Sequence, residues 1–212
     1  MNTYNSMNFS EFFYKLSQHC VKAQKKEFKK GDIITSYIAK RRQLFILING
    51  EADLIRYDLN GNRTIVEHYS KNNLFGEIFY NVTTNNELFV EAQKKCEVIF
   101  FNYDYLENKC ELNCKYHNEI LQTLPHLFLN KLNSLNTRIE ILTKRTIRDK
   151  LLTYFNIISS SYMSKSFTLP FSLTDLADYL SVDRSAMMRE ISLLKKDNII
   201  DKIGNKITLL YK

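Results

Sequence analysis

Glycine is scarce in this sequence: five in 212 residues, none of them arranged as a phosphate-cradling loop. Paired catalytic carboxylates and a spaced nucleophile and base are missing as well, so the residues give no support to an enzyme. No stretch approaches the roughly 18 to 20 uninterrupted apolar residues of a membrane-spanning helix. Met1 to Ser10 shows neither a basic n-region nor an apolar h-region of the secretory kind, and the expectation is a cytoplasmic protein without a membrane partner. The four cysteines, Cys20, Cys96, Cys110 and Cys114, contain no CxxC pair. Cys110 and Cys114 can share a helix face, but no second His or Cys pair stands at zinc-finger spacing. The histidines, His19, His68, His117 and His126, are scattered. The expectation is therefore reduced structural thiols, no metal and no cofactor.

What is present is a globular composition, 44% apolar, with a formal net charge of +7 unevenly spread. From Arg138 to Lys212 there are 13 Lys and Arg against 8 Asp and Glu, whereas the rest of the chain carries 17 against 15. The basic excess sits where a polyanion would dock, although charge alone describes many solvated surfaces equally well.

The texture of the chain changes three times. Residues 9–23 read as a short amphipathic helix with Phe12, Phe13, Leu16 and Cys20 on one face. From Lys26 to Asn102 come short β-branched and aromatic runs, LFILING, EADLIRYDL, RTIVEHY, LFVEAQ and CEVIFFN. Turn signals separate them, and Gly31, Gly50 and Gly61 are expected there at positive φ. This pattern predicts an antiparallel β-barrel or β-roll, and with the helices that follow an α+β fold. Between Leu121 and Leu142 the apolar residues Leu121, Phe128, Leu132, Leu135, Ile139 and Leu142 keep a four-three alternation. A 3.5 repeat held over three heptads favours a partner helix over packing within one subunit, and so a homodimer. Pro125 should start the regular part of this helix or kink it. A further helix is expected over Thr146–Ser160, with Ile147, Leu151, Leu152, Phe155 and Ile158 on one face. The polar run Ser159–Ser161 and Met163–Lys165 should form a loop.

Residues 171–200, FSLTDLADYLSVDRSAMMREISLLKKDNII, carry the most specific pattern. Ser172 and Asp175 form an S-x-x-D start for a helix from Leu173 to about Leu180. Ser181–Val182 makes a turn, and Asp183 caps a second helix from Arg184 to about Lys196. Leu176, Leu180, Val182, Met187, Ile191 and Leu194 close a small core, with Ala177 at the close approach of the two helices. The opposite face of the second helix displays Arg184, Ser185, Met188, Arg189 and Ser192, residue types suited to base edges in a major groove. Residues 199–209 read as two strands around Gly204–Asn205, a wing that brings Lys202 and Lys206 to phosphates. The partner these features select is double-stranded DNA.

The order of parts resembles the Crp/Fnr family of bacterial transcription regulators, over about residues 26–211. GDIITSYIAKRRQLFILINGEADL, then FGE and CEVIFF, resembles the family's cyclic-nucleotide-binding-type β-roll, and LTDLADYLSVDRSAMMREISLL its helix-turn-helix. The resemblance implies a homodimer reading a pseudo-palindromic site, and three parts: residues 1–115 a sensor, 116–143 a dimerisation helix and 144–212 a winged helix-turn-helix. It leaves RNA polymerase and an unidentified small-molecule effector open as partners. The effector-pocket candidates it marks are Gly76, Glu77, Asn86, Glu87 and Lys131. Gly76 and Glu77 match the ribose-side pair, although Glu77 can equally serve as a turn cap. Asn86 and Glu87 stand where cyclic-AMP-binding members have an Arg-Ser or Arg-Thr pair for the phosphate. A carboxylate there repels a phosphate, and Lys131 and Leu132 replace hydroxyl residues near the base, so a response to cyclic AMP is not expected. The cluster-binding branch needs closely spaced N-terminal cysteines and Cys20 is alone; neither His68 nor His117 is assignable as a haem ligand. A ligand-sensing module acting through a protein partner is the alternative from a different class, and the polar recognition face argues against it.

Overall fold

The computed structural model describes residues 23–39, 42–58, 60–80, 88–104 and 115–211, with the backbone alone for 115–121. The helix expected over 9–23 and the cysteines Cys20, Cys110 and Cys114 lie outside the described residues, as do Asn86 and Glu87. The chain divides into two compact units, Met1–Asn133 and Ser134–Lys212.

The first unit is a sandwich of two four-stranded antiparallel sheets. One has the order β1 (Gln24–Phe28), β8 (Cys96–Asn102), β3 (Gln43–Asn49), β6 (Leu74–Gly76). The other runs β2 (Ile33–Ser36), β7 (Leu88–Ala92), β4 (Ala52–Tyr57), β5 (Arg63–Tyr69). Short 3-10 turns follow β2 at Tyr37–Ala39 and β6 at Glu77–Phe79. Strand β3 shows why the run LFILI has no polar member. Phe45 and Leu47 enter the core between the sheets, beside Leu54, Val90 and Val98. Leu44, Ile46 and Ile48 point the other way, into a second cluster with Ile99, Leu124 and Leu127. Both faces are covered, and alternation disappears from the sequence.

The expected turn glycines take positive φ at Gly31, Gly50 and Gly61. At Gly50 space matters as much as φ: a Cβ there would stand 2.4 Å from the Lys95 carbonyl oxygen and 2.8 Å from the Cys96 Cα. Cys96 itself is buried, and its thiol is pushed up from the ordinary range by that burial.

The helix bearing Leu124 and Leu127 is α1, Lys115–Leu142, and the boundary between the units falls within it. Pro125 lies inside α1, ten residues past its first residue, and does not start it. Lacking an N–H, Pro125 cannot make the i→i−4 bond at that point, and the helix runs through it one backbone hydrogen bond short.

In the second unit, α2 spans Ile147–Tyr162, capped by the Thr146 hydroxyl, which accepts from the Asp149 N–H. Ser159–Ser161 therefore belong to the helix rather than to a loop: Met163, in a left-handed conformation, caps the end by donating to the Ser159 and Ser160 carbonyls. A three-residue strand, β9 (Ser166–Thr168), follows and pairs with β11. Helices α3 (Leu173–Leu180) and α4 (Arg184–Lys196) come next, then the hairpin β10 (Ile200–Ile203) and β11 (Lys206–Leu209). Leu151, Phe155, Leu176, Leu180, Met187, Ile191, Leu194 and Ile207 are all buried in this unit. Val182, expected in the same core, is half-buried.

Candidate nucleic-acid interface and the interior of the β-roll

The two short helices are held by their caps. The Ser172 hydroxyl accepts from the Asp175 N–H at 3.1 Å and donates to the Asp175 carboxylate at 2.6 Å. Ser181 closes α3 in a left-handed conformation. Asp183 accepts from the Ala186 N–H at 2.7 Å and begins α4, its charge favoured by the helix dipole. Each cap contributes on the order of 1 kcal/mol. With Met187, Ile191 and Leu194 anchored inward, the outward face of α4 is fixed by helical spacing: Arg184, Ser185, Arg189 and Ser192 are exposed and Met188 is half-buried. Arg189 Nε donates to the Ser185 carbonyl, and the Ser192 hydroxyl to the Met188 carbonyl at 3.0 Å.

Arg148 of α2 braces this helix from behind. Its guanidinium meets Glu190 at 3.2 Å and Asp197 at 2.7 Å, and these carboxylates hold it above its ordinary pKa, Asp197 foremost. On the wing, Lys206 is exposed. Lys202 is half-buried, and its ammonium donates to the Gly204 carbonyl at 2.6 Å across the turn. Lys195 pairs with Asp201 at 2.9 Å, tying the end of α4 to β10 and lowering the Asp201 pKa. Ile203, at the tip of the hairpin, is 72% exposed.

Along α1 the heptad residues separate by environment. Phe128 turns to the β-roll, its ring centre 5.6 Å from that of Phe79. Leu132 and Ile139 are 54% and 59% exposed, and Leu135 and Leu142 are half-buried. The side chain of Leu121 lies outside the described residues. Leu129, 55% exposed, joins Leu132 on the open face; the heptad reading passed over it because it took Phe128 as the seam member of that turn.

Inside the roll, Gly76 is buried, and a Cβ on it would come within 2.5 Å of the Gln43 carbonyl oxygen. Close packing of β6 on β3 thus requires glycine whatever else the position does. The Glu77 carboxylate accepts the backbone N–H of Arg42, a residue at φ 53. The Arg42 side chain pairs with Asp104 at 2.5 Å and stacks over Tyr103. Glu77 therefore acts here as a cap of the Arg42 turn.

Lys131 is buried, and so is its partner Glu67 of β5. The ammonium lies 4.9 Å from the Tyr69 ring centre, 5.0 Å from Phe79 and 5.7 Å from Tyr80. Burial lowers the Lys131 pKa and Glu67 works against that shift. Burial, reinforced by the charge of Glu67, raises Tyr69 and Tyr80, and burial likewise raises Tyr37. The hydroxyls of Tyr37, Tyr69 and Tyr80 and the Glu67 Oε1 oxygen are buried without completing a hydrogen bond of good geometry among the described residues. No local spacing announces this cluster, since Glu67 and Lys131 stand 64 residues apart.

Residues 25–113 match the family model of the cyclic nucleotide-binding domain. The chain has the fold of the Crp/Fnr transcription regulators. FixK2 from Bradyrhizobium japonicum superposes with a TM-score of 0.65 at 17% identity, over 89% of this chain and 93% of that one. The c-di-GMP responsive global regulator CLP from Xanthomonas campestris gives 0.67 at 13%, over 96% of this chain and 100% of that one. A CRP-family transcriptional regulator from Thermus thermophilus gives 0.61 at 14%, over 88% and 92%. No curated protein sequence matches this one. Among the described residues, no helix is long and apolar enough to cross a membrane, and no group of three or more His, Cys, Asp or Glu is placed to hold a metal ion.

Proposed function

We propose that this chain is a homodimeric, sequence-specific DNA-binding transcription regulator of the Crp/Fnr type that acts in the cytoplasm. Residues 1–115 form its sensor, 116–143 its dimerisation helix and 144–212 its DNA-binding domain. The observation that carries this reading is α4 itself: a capped helix with an apolar anchor row of Met187, Ile191 and Leu194 and an exposed row of Arg184, Ser185, Arg189 and Ser192. Residues of that second kind meet base edges in a major groove, Arg by paired donors to guanine and Ser by single bonds. Lys202 and Lys206 on the wing supply phosphate contacts, and Met188 lends apolar surface beside them. Dimerisation runs along α1 through Leu132, Leu135, Ile139 and Leu142, with Leu129 on the same side.

The effector, where one acts, is not cyclic AMP or cyclic GMP. The buried carboxylate of Glu67, already paired with Lys131, adds to the lack of positive charge at Asn86 and Glu87, and an uncompensated phosphate is costly to bury. The regulator reading is tested by selecting binding sequences for the full-length protein from a random duplex library and measuring their affinity by fluorescence anisotropy. The expected result is a two-fold symmetric motif bound at least about a thousandfold more tightly than random duplex. Equal affinity for selected and random DNA would overturn it.

A further inference from the structure

The sandwich does not need a charge in its interior, yet the carboxylate of Glu67 is buried there. On β5 the buried positions are Ile65, Glu67 and Tyr69, and Glu67 is only 4% exposed. An apolar residue would fill this place without the cost of desolvating a carboxylate. What surrounds Glu67 explains the choice. Tyr69 belongs to the same strand, Phe79 and Tyr80 to the turn after β6, and Tyr37 to the turn after β2. Tyr37 and Tyr80 rest on each other with ring centres 5.5 Å apart.

Among the described residues, the carboxylate, the three rings that face the ammonium and the three buried tyrosine oxygens all belong to the β-roll. Aromatic faces are the negative ends of ring quadrupoles and attract cations. A carboxylate does the same more strongly. Such a box repels an anion and leaves a neutral polar molecule with the carboxylate uncompensated; an ammonium meets both the carboxylate and the rings. Among the described residues the cation inside is Lys131, and it arrives from a different element, α1. A compact ammonium on a flexible stem can face three rings and one carboxylate at once, whereas a planar guanidinium stacks on the face of a single ring.

We propose that the interior of the β-roll is an ammonium-binding site whose resident ligand is the side chain of Lys131, and that primary alkylammonium ions are the small molecules able to take its place. This inference goes beyond the DNA-binding reading and is independent of it, because its test reads the roll and not the wing.

The test is chemical replacement in the full-length protein. K131A removes Cγ, Cδ, Cε and Nζ, which n-propylammonium supplies. K131A is expected to melt roughly 5 to 15 °C below the wild type. Propylammonium chloride should return most of that loss in a saturable manner while leaving the wild type unchanged. Sodium chloride, n-propanol and sodium propionate should return none of it, and E67Q/K131A should not respond to the amine. If n-propanol or propionate restores K131A as well as the amine does, the box reads only filled space and the proposal falls. It falls equally if the amine restores nothing. Should K131A not fold alone, refolding from urea in propylammonium chloride against sodium chloride gives the same decision. K131M, which keeps the volume, gives another: it should melt below the wild type and E67Q/K131M should recover the loss, while K131M as stable as the wild type overturns the assignment.

Discussion

The guanidinium of Arg138 lies over the ring of Tyr179, 3.9 Å from its centre, and also donates to the Tyr179 carbonyl. Arg138 belongs to the last turns of α1 and Tyr179 to α3, so one side chain fastens the long helix to the first helix of the helix-turn-helix within the second unit. Arg138 is buried. A desolvated cation–π contact is worth about 2 kcal/mol, and a hydrogen bond from a charged donor about 1.5 to 3 kcal/mol. Arg138→Ala should therefore destabilise the second unit by about 2 to 4 kcal/mol. Urea unfolding followed by tyrosine fluorescence checks this, and a change below about 0.5 kcal/mol would mean the stacking is incidental.

The open face of α1 makes the next expectation. Leu129, Leu132 and Ile139 are each more than half exposed on one chain. Burial of a Leu or Ile in a partner's seam is worth about 2 to 5 kcal/mol per side chain when truncated to Ala. Leu132→Asp should give monomers by sedimentation velocity, with the melting of the β-roll little changed. A dimer that persists would place the interface elsewhere.

For DNA reading, Arg189→Ala should lose about 1 to 3 kcal/mol on the selected sequence and relax preference at one base step per half-site. Lys206→Ala should weaken all sequences evenly and reduce the salt dependence by about one ion. The half-sites should lie roughly 34 to 36 Å apart. Anisotropy titrations across salt concentrations separate the two variants, and equal losses on specific and random DNA for Arg189→Ala would make it a phosphate contact.

Alkaline titration reads the aromatic interior. Tyr37, Tyr69, Tyr80 and Tyr154 all ionise above the ordinary 10.0 in the folded protein, burial being the first cause in each. The unfolded chain loses these protons near 10.0 while the folded one keeps them, so stability is intact below that pH and falls as pH rises beyond it. Lys131 carries the opposite sign: its folded pKa is lowered from 10.5, and between the two values its contribution rises with pH. Four tyrosines against one lysine should give a cooperative loss of far-ultraviolet circular dichroism above pH 10, coincident with tyrosinate absorbance. Tyr69→Phe should move that transition to higher pH.

The second unit was the more legible in sequence, because its signals are local. Ser172, Asp175 and Asp183 are cap residues within three positions of the N–H groups they serve, and the bounds of α3 and α4 follow from them. Strand β9 escaped because three residues, Ser166–Thr168, carry no period of their own and form a strand only by pairing with β11. Composition alone reads Ser159–Ser161 as loop, whereas Met163 sets the actual end of α2. In the first unit the antiparallel strands were legible from turns and β-branched runs. The Glu67–Lys131 pair was not, since a contact between a strand and a helix so far apart in sequence leaves no spacing to detect. Gly76 and Glu77 stand out in sequence by resemblance alone, because the groups they pack against and cap, Gln43 and Arg42, lie on a distant stretch of chain.

The Ser192 hydroxyl has one proton, and the helix already holds it through the Met188 carbonyl. Toward anything outside, Ser192 then offers only lone pairs, so it can take a hydrogen bond from an adenine or cytosine amino group but has nothing to give to a guanine or thymine oxygen. On the proposed DNA-binding reading, a side chain that is ordinarily indifferent between bases becomes a discriminating one, and the discrimination is set by a bond that never touches the DNA.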